Sequence, residues 1–149
     1  MTIRTGSARY EGLGKGGKGF VSTQSGVLSD EPYGFNTRFE NEAGTNPEEL
    51  VAAAHASCFT MALSFALAKE GFAEGTLETT AKVKLEQKDG GFVVTRSDLI
   101  LTAQVPEIGR DAFKEIAQGA KESCPLSRLL NAEITLEVTL EPDEALPPA

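Results

Sequence analysis

Positive charge is in short supply in this chain: 14 Lys and Arg stand against 22 Asp and Glu, a formal charge of −8 over 149 residues. Nucleic acid and anionic membrane both require a basic footprint, and this balance argues against either as a partner. Cysteine is scarcer still. Two residues, Cys58 and Cys124, are too few for a small secreted disulfide scaffold. The opening Met1-Thr2-Ile3-Arg4-Thr5-Gly6 lacks the apolar core of a signal peptide. The expected compartment is a reducing cytoplasm, where a cysteine pair signifies a core, a metal or redox chemistry. There is one histidine, His55, no internal repeat, and no low-complexity tract apart from the Gly-Lys segment 14–19.

What is present is an ordinary globular balance, 40% hydrophobic and 24% charged. The length suits a single domain, 1–140, able to bury roughly two-thirds of its extended-chain surface, followed by an acidic, proline-containing tail at 141–149. The uncharged run Leu50–Ala68 meets the length threshold for a membrane helix. Seven of its residues are Ala, and it also holds His55, Ser57, Cys58, Thr60 and Ser64. A helix buried in protein over most of its circumference accounts for it better than a membrane span.

Periodicity divides the chain further. Residues 2–10 and 19–24 read as strands around the glycine-rich segment, a turn falls near Ser29–Pro32, and 34–40 alternates as an extended segment. Asn46 as N-cap, Pro47 at the first helical position and Gly71 beyond the end define a helix of about 24 residues. It is apolar on more than one side, so it is either wrapped by sheet or partly covered by another subunit. Leu77–Leu85 and Phe92–Val105 form a hairpin about Asp89-Gly90-Gly91. A second helix fits 110–123, ended by Cys124-Pro125, and 133–140 alternates as a last strand. These elements give an α+β class, antiparallel sheets packed on a long central helix and a second helix.

Two motifs match nucleotide sites only in letters. Gly12-x-Gly14-x-x-Gly17 is followed by strand-like Phe20-Val21-Ser22-Thr23 instead of a helix, and Lys18-Gly19 lacks the Ser or Thr of a P-loop. His55 lies three residues before Cys58, which places their Cβ atoms about 5–6 Å apart on a helix. A Cys–His nucleophile pair is conceivable there, although a histidine packed in the helix wall is the simpler reading. His55, Cys58 and Cys124 are too few to hold a metal without an added acid. The cysteines read either as small core residues or as a peroxide-attacking thiol and its resolving partner. A thiol in mid-helix needs a cation to lower its pKa; Arg38 is a candidate, or else a solvated surface arginine.

Longer motifs narrow the choice. Thr45-Asn46-Pro47-Glu48-Glu49-Leu50, continuing through Ala-Ala-Ala-His-Ala-Ser to Cys58-Phe59, closely resembles the osmotically inducible protein C (OsmC) family of peroxiredoxin-like hydroperoxide reductases. So do Pro32-Tyr33-Gly34-Phe35-Asn36-Thr37-Arg38-Phe39-Glu40 and Cys124-Pro125-Leu126-Ser127. The Gly-Phe-Asn-Thr-Arg stretch favours the osmotically inducible branch over the organic hydroperoxide resistance branch. The resemblance implies an intertwined homodimer and no flavin, haem or metal. It implies Cys58 as the peroxidatic cysteine, Cys124 as the resolving one, and Arg38 and Glu48 as activating partners. Organic hydroperoxides would be the favoured substrates and an external dithiol the reductant.

Helix geometry adds a constraint. Glu48 and Cys58 are separated by about 15 Å along one helix and about 80° around it. If both act on one peroxide, Glu48 should come from the partner chain. In the expected mechanism Arg38 stabilises the Cys58 thiolate, Glu48 holds Arg38 by a bidentate pair, and the oxidised Cys58 condenses with Cys124. The rivals are a Cys58/His55 hydrolase, which His55→Asn would abolish, and a redox sensor or stress-associated binding protein without turnover.

Overall fold

Hairpins organise both parts of the chain. In the computed structural model, which describes residues 1–141, Met1–Leu50 form one unit and the chain from Val51 onward a second. The expected tail lies, beyond Glu141, outside the described residues.

In the first unit β1 (Gly6–Glu11), β2 (Lys18–Thr23) and β3 (Glu31–Tyr33) make an antiparallel sheet in that order. The glycine-rich link between β1 and β2 is a 3-10 turn at Gly14–Gly16. A strand follows it, so no helix N-terminus stands there to receive a pyrophosphate. The glycines serve packing instead. Gly19 pairs with Tyr10 on one side and Tyr33 on the other, and a Cβ on it would come within 2.6 Å of the Tyr33 ring and 2.9 Å of Tyr10. The two rings meet edge to face with centroids 6.1 Å apart.

The extended reading of 34–40 is corrected. Phe35–Phe39 form a short helix, α1. Alternating aromatic and polar residues over so few positions fit either period, because Phe35 and Phe39 are also four apart. Their rings lie 5.2 Å apart on one helix side. Thr37 decides the matter locally: its hydroxyl accepts the Gly34 N–H at 2.7 Å and donates to the Gly34 carbonyl at 3.1 Å, closing the first turn.

Helix α2 (Pro47–Lys69) begins in the first unit and continues through the second. The Asn46 carboxamide accepts the Glu49 N–H at 2.8 Å, the expected N-cap. Gly71, at φ 96°, ends the helix and lets the Phe72 N–H bond back to the Leu67 carbonyl. By length and mean hydropathy, 1.7, α2 would pass as a membrane span. Its fully buried residues, however, are His55, Phe59, Leu63 and Leu67, one stripe at intervals of four that packs as a core stripe does; within this chain the helix is enclosed on that side and not, as expected, over most of its circumference.

In the second unit β4 (Thr76–Lys88) and β5 (Gly91–Gln104) form a long antiparallel hairpin turned by Asp89 and Gly90, both at positive φ. After α3 (Arg110–Ser123) and α4 (Pro125–Leu129), strand β6 (Glu133–Leu140) returns beside β5. It runs parallel to β5, from Arg96 opposite Glu133 to Ala103 opposite Leu140. Purely antiparallel sheets were expected. The two helices between β5 and β6 form a crossover connection, and that permits the parallel pairing. The core joins Phe59, Leu63 and Leu67 of α2 to Leu99, Leu101 and Ala103 of β5 and to Phe113, Ala117 and Ala120 of α3, with Cys124 fully enclosed.

Candidate active site

Cys58 occupies the flank of the α2 core stripe, between the buried side and an exposed one carrying Met61 and Phe65. It is half-buried, whereas Cys124, between α3 and α4, is completely buried; both are free thiols. The two thiols are neighbours, and the backbone N–H of Leu126, in the first turn of α4, lies near enough to the Cys58 sulfur to favour its thiolate. Burial pushes the Cys58 thiol above its ordinary value and the Cys124 contact adds to this, while the Leu126 N–H works in the opposite direction. Pro125 creates this arrangement: it breaks α3 before Cys124 and starts α4 directly after it, aiming the next free N–H at the sulfur.

His55 lies one turn before Phe59 in the core stripe and is fully buried. Its Nδ1 is 2.7 Å from the Ser97 hydroxyl on β5, and its Nε2 is 2.8 Å from the Ser127 hydroxyl on α4. Burial lowers its pKa, so the ring is neutral at physiological pH. One serine therefore donates to the bare ring nitrogen and the other accepts from the ring N–H. Neither nitrogen is left to take a proton from Cys58, which removes the geometric basis for a Cys–His nucleophile.

In the first unit Arg38 of α1 forms a fork on Glu48 in the first turn of α2. Its Nε lies 2.9 Å from one carboxylate oxygen and an Nη 2.8 Å from the other. This is the bidentate geometry that favours arginine over lysine. The Glu48 bond is the leading cause of a raised Arg38 pKa, and Arg38 also stacks over the Phe39 ring at 5.2 Å. Glu49, on another side of the helix, accepts from the Thr45 hydroxyl instead.

The sequence reading picked out Cys58, Cys124, Arg38 and Glu48, and the structure joins them as two pairs, thiol to thiol and guanidinium to carboxylate. It missed the part played by Ser97 and Ser127. A signal for Ser97 was present: it interrupts the inward-facing series Ser97, Leu99, Leu101, Ala103 with a hydroxyl, and a buried hydroxyl implies a partner. Among the described residues, no group of three or more His, Cys, Asp or Glu is set as a metal site.

Two contacting thiols, one beneath a backbone donor, on an α+β frame with a long core helix, define the class of dithiol redox proteins. Comparison with known proteins is more particular. Residues 39–139 match the family described as OsmC-like protein. The chain is 54% identical over 142 residues to "Peroxiredoxin OsmC" of Escherichia coli, covering 95% of this chain and 99% of that protein. It is 32% identical over 130 residues to "Organic hydroperoxide resistance protein OhrB" of Bacillus subtilis, covering 85% and 93%. The crystal structure of that Bacillus protein superposes with a TM-score of 0.68 over 94% of this chain and 98% of the other, at 26% identity. The chain belongs to the OsmC family.

Proposed function

We propose that the protein is a thiol-dependent peroxidase that reduces organic hydroperoxides to alcohols, and hydrogen peroxide less well to water, in defence against oxidative or osmotic stress in a reducing cytoplasm. The observation that carries this reading is the contact of the Cys58 and Cys124 thiols beneath the Leu126 N–H. The names of the relatives, a peroxiredoxin and an organic hydroperoxide resistance protein, agree with it.

Cys58 is the attacking group because it is the more exposed of the two. Its thiolate attacks the peroxide oxygen, the O–O bond breaks, and the alkoxide takes up a proton and leaves as alcohol. Cys58 becomes a sulfenic acid. Condensation with Cys124 forms the disulfide and releases water, and an external dithiol reopens it by exchange. Sulfur supplies both electrons, so the cycle needs no flavin, haem or metal.

Burial alone would keep the Cys58 thiol protonated, and Arg38 is the cation we assign to the thiolate, with Glu48 fixing its fork. Arg38 borders a cleft of about 360 Å³ walled by Tyr10, Tyr33, Phe35 and Phe39, apolar surfaces suited to the carbon skeleton of an organic peroxide. The working form is a homodimer with sites built from both chains. Met61 and Phe65 stand 62% and 71% exposed on α2, an apolar face that a second copy would cover.

The test is dithiol-dependent consumption of cumene hydroperoxide and hydrogen peroxide by wild type, Cys58→Ser and Cys124→Ser. The reading expects no turnover from Cys58→Ser and a single oxidation without recycling from Cys124→Ser. Wild-type protein that consumes neither peroxide above the blank would overturn it.

A further inference from the structure

The peroxidase cycle leaves one ionisable core residue without a part. His55 and Ser97 are the buried polar side chains of the core, and each is fully enclosed. Enclosing an imidazole and a hydroxyl has a desolvation cost that apolar side chains of similar volume would avoid. Packing alone therefore does not account for them. The direction of the hydrogen bonds does. Through Nδ1 the ring holds β5 at Ser97, and through Nε2 it holds α4 at Ser127. Ser127 follows directly on Leu126, whose N–H reaches the Cys58 sulfur, and stands three residues after Cys124. Helix α4 has only five residues, too short to fix its own position by helical cooperativity.

We propose that His55 is a positioning residue for the disulfide-forming step: by holding Ser127 of α4 to helix α2 through its Nε2, it keeps the Cys124 thiol against the Cys58 sulfur. The proposal rests on the peroxidase reading above. In the step concerned, Cys58 carries a sulfenic acid. The Cys124 sulfur attacks the Cys58 sulfur, the S–S bond forms, the S–O bond breaks, and hydroxide leaves as water with the proton of the Cys124 thiol. Cys124 is oxidised as the Cys58 sulfenic acid is reduced to the disulfide level, and no further reactant enters. The imidazole exchanges no proton in this step. It determines how much of the time Cys124 stands in line for attack. The competing fate of the sulfenic acid is a second peroxide, which carries it to sulfinic acid. Loosening α4 thus diverts oxidation from disulfide to sulfinic acid far more than it alters the first oxidation.

Two amide substitutions separate the two arms of the ring. His55→Asn keeps a polar group near the Nδ1 position, facing Ser97, and loses the reach to Ser127. His55→Gln keeps one near the Nε2 position, facing Ser127, and loses Ser97. Reduced wild type, both variants and Ser127→Ala are treated with excess cumene hydroperoxide. The first oxidation is followed by stopped flow, and the products at Cys58 are resolved by intact mass.

The expected first-oxidation rates agree within about twofold, while His55→Asn and Ser127→Ala yield about fivefold more sulfinic acid than wild type and His55→Gln stays near wild type. Equal sulfinic fractions in wild type, His55→Asn and Ser127→Ala would overturn the proposal. Sulfinic acid raised as much in His55→Gln as in His55→Asn would overturn it too, because general loosening of the core would then suffice. Ser127→Ala touches only a half-buried hydroxyl and carries the test if His55→Asn does not fold. A wild-type Cys58 that the peroxide leaves reduced would be a different failure, that of the peroxidase reading itself.

Discussion

In the proposed mechanism a single guanidinium, that of Arg38, decides whether Cys58 is reactive at neutral pH. Burial and the Cys124 thiol both raise the Cys58 pKa, and the Leu126 N–H opposes them only in part. A raised thiol pKa means that the thiolate, and with it the rate of the first oxidation, is scarce at neutral pH and grows as pH rises through that pKa. If Arg38 supplies the missing stabilisation, Arg38→Met should move the pH profile of the first oxidation to higher pH. At pH 7 the rate should then fall by about tenfold for every pH unit the profile moves. Stopped-flow oxidation across pH 5–10 measures this; a profile that coincides with wild type would remove Arg38 from the site. At this scale the sequence marks candidates where a residue type announces its chemistry, as Cys58, Cys124 and Arg38 do. It was opaque for Ser127, and for Ser97 it marked a buried hydroxyl without naming its partner. A hydroxyl has no period of its own, and only the fold brings residues 97 and 127 to the two edges of one imidazole.

Among the elements, those with caps and long periods could be read directly. Asn46, Pro47 and Gly71 bound α2 to within a residue or two, and the alternation of β4 survives as alternating burial along the strand. Short elements failed for a physical reason. In α1, five residues cannot distinguish a period of two from one of nearly four, and the Thr37–Gly34 hydrogen bonds that settle the choice are local. The glycine-rich turn gives the sharpest expectation at this scale. A Cβ on Gly17 would lie 2.5 Å from the Tyr10 ring and 2.8 Å from the Gly12 carbonyl oxygen. A ring can rotate away, but the backbone oxygen cannot move without disturbing the turn. Gly17→Ala should therefore destabilise the β1–β2 hairpin by about 1–3 kcal/mol, whereas Gly16→Ala, with nothing within 4 Å, should be close to neutral. Denaturant titration of both variants compares them.

For the whole molecule, the uncommitted surface of α2 is the feature that asks for an explanation. Like charge, −8 per chain, opposes association, yet Met61 and Phe65 stand exposed on this helix. In the proposed dimer, Met61→Glu combined with Phe65→Glu should reduce the mass by light scattering from twice 15.8 kDa to 15.8 kDa. Wild type already at the lower mass would remove the dimer and the two-chain site together. The parallel return of β6 has a consequence for synthesis. Cys124, the resolving cysteine of the proposed cycle, rides on the link between β5 and β6, so α3 and α4 are tethered at both ends only after the last strand has docked. On the ribosome Cys58 emerges some 66 residues before Cys124 and waits longer still for the strand that closes the loop around it. During that interval an oxidant meeting Cys58 finds no second thiol held in place. If the proposed cycle operates, the youngest copies of the protein are the ones most open to irreversible damage, and tolerance of peroxide is a property each chain acquires when its C-terminal strand is laid down.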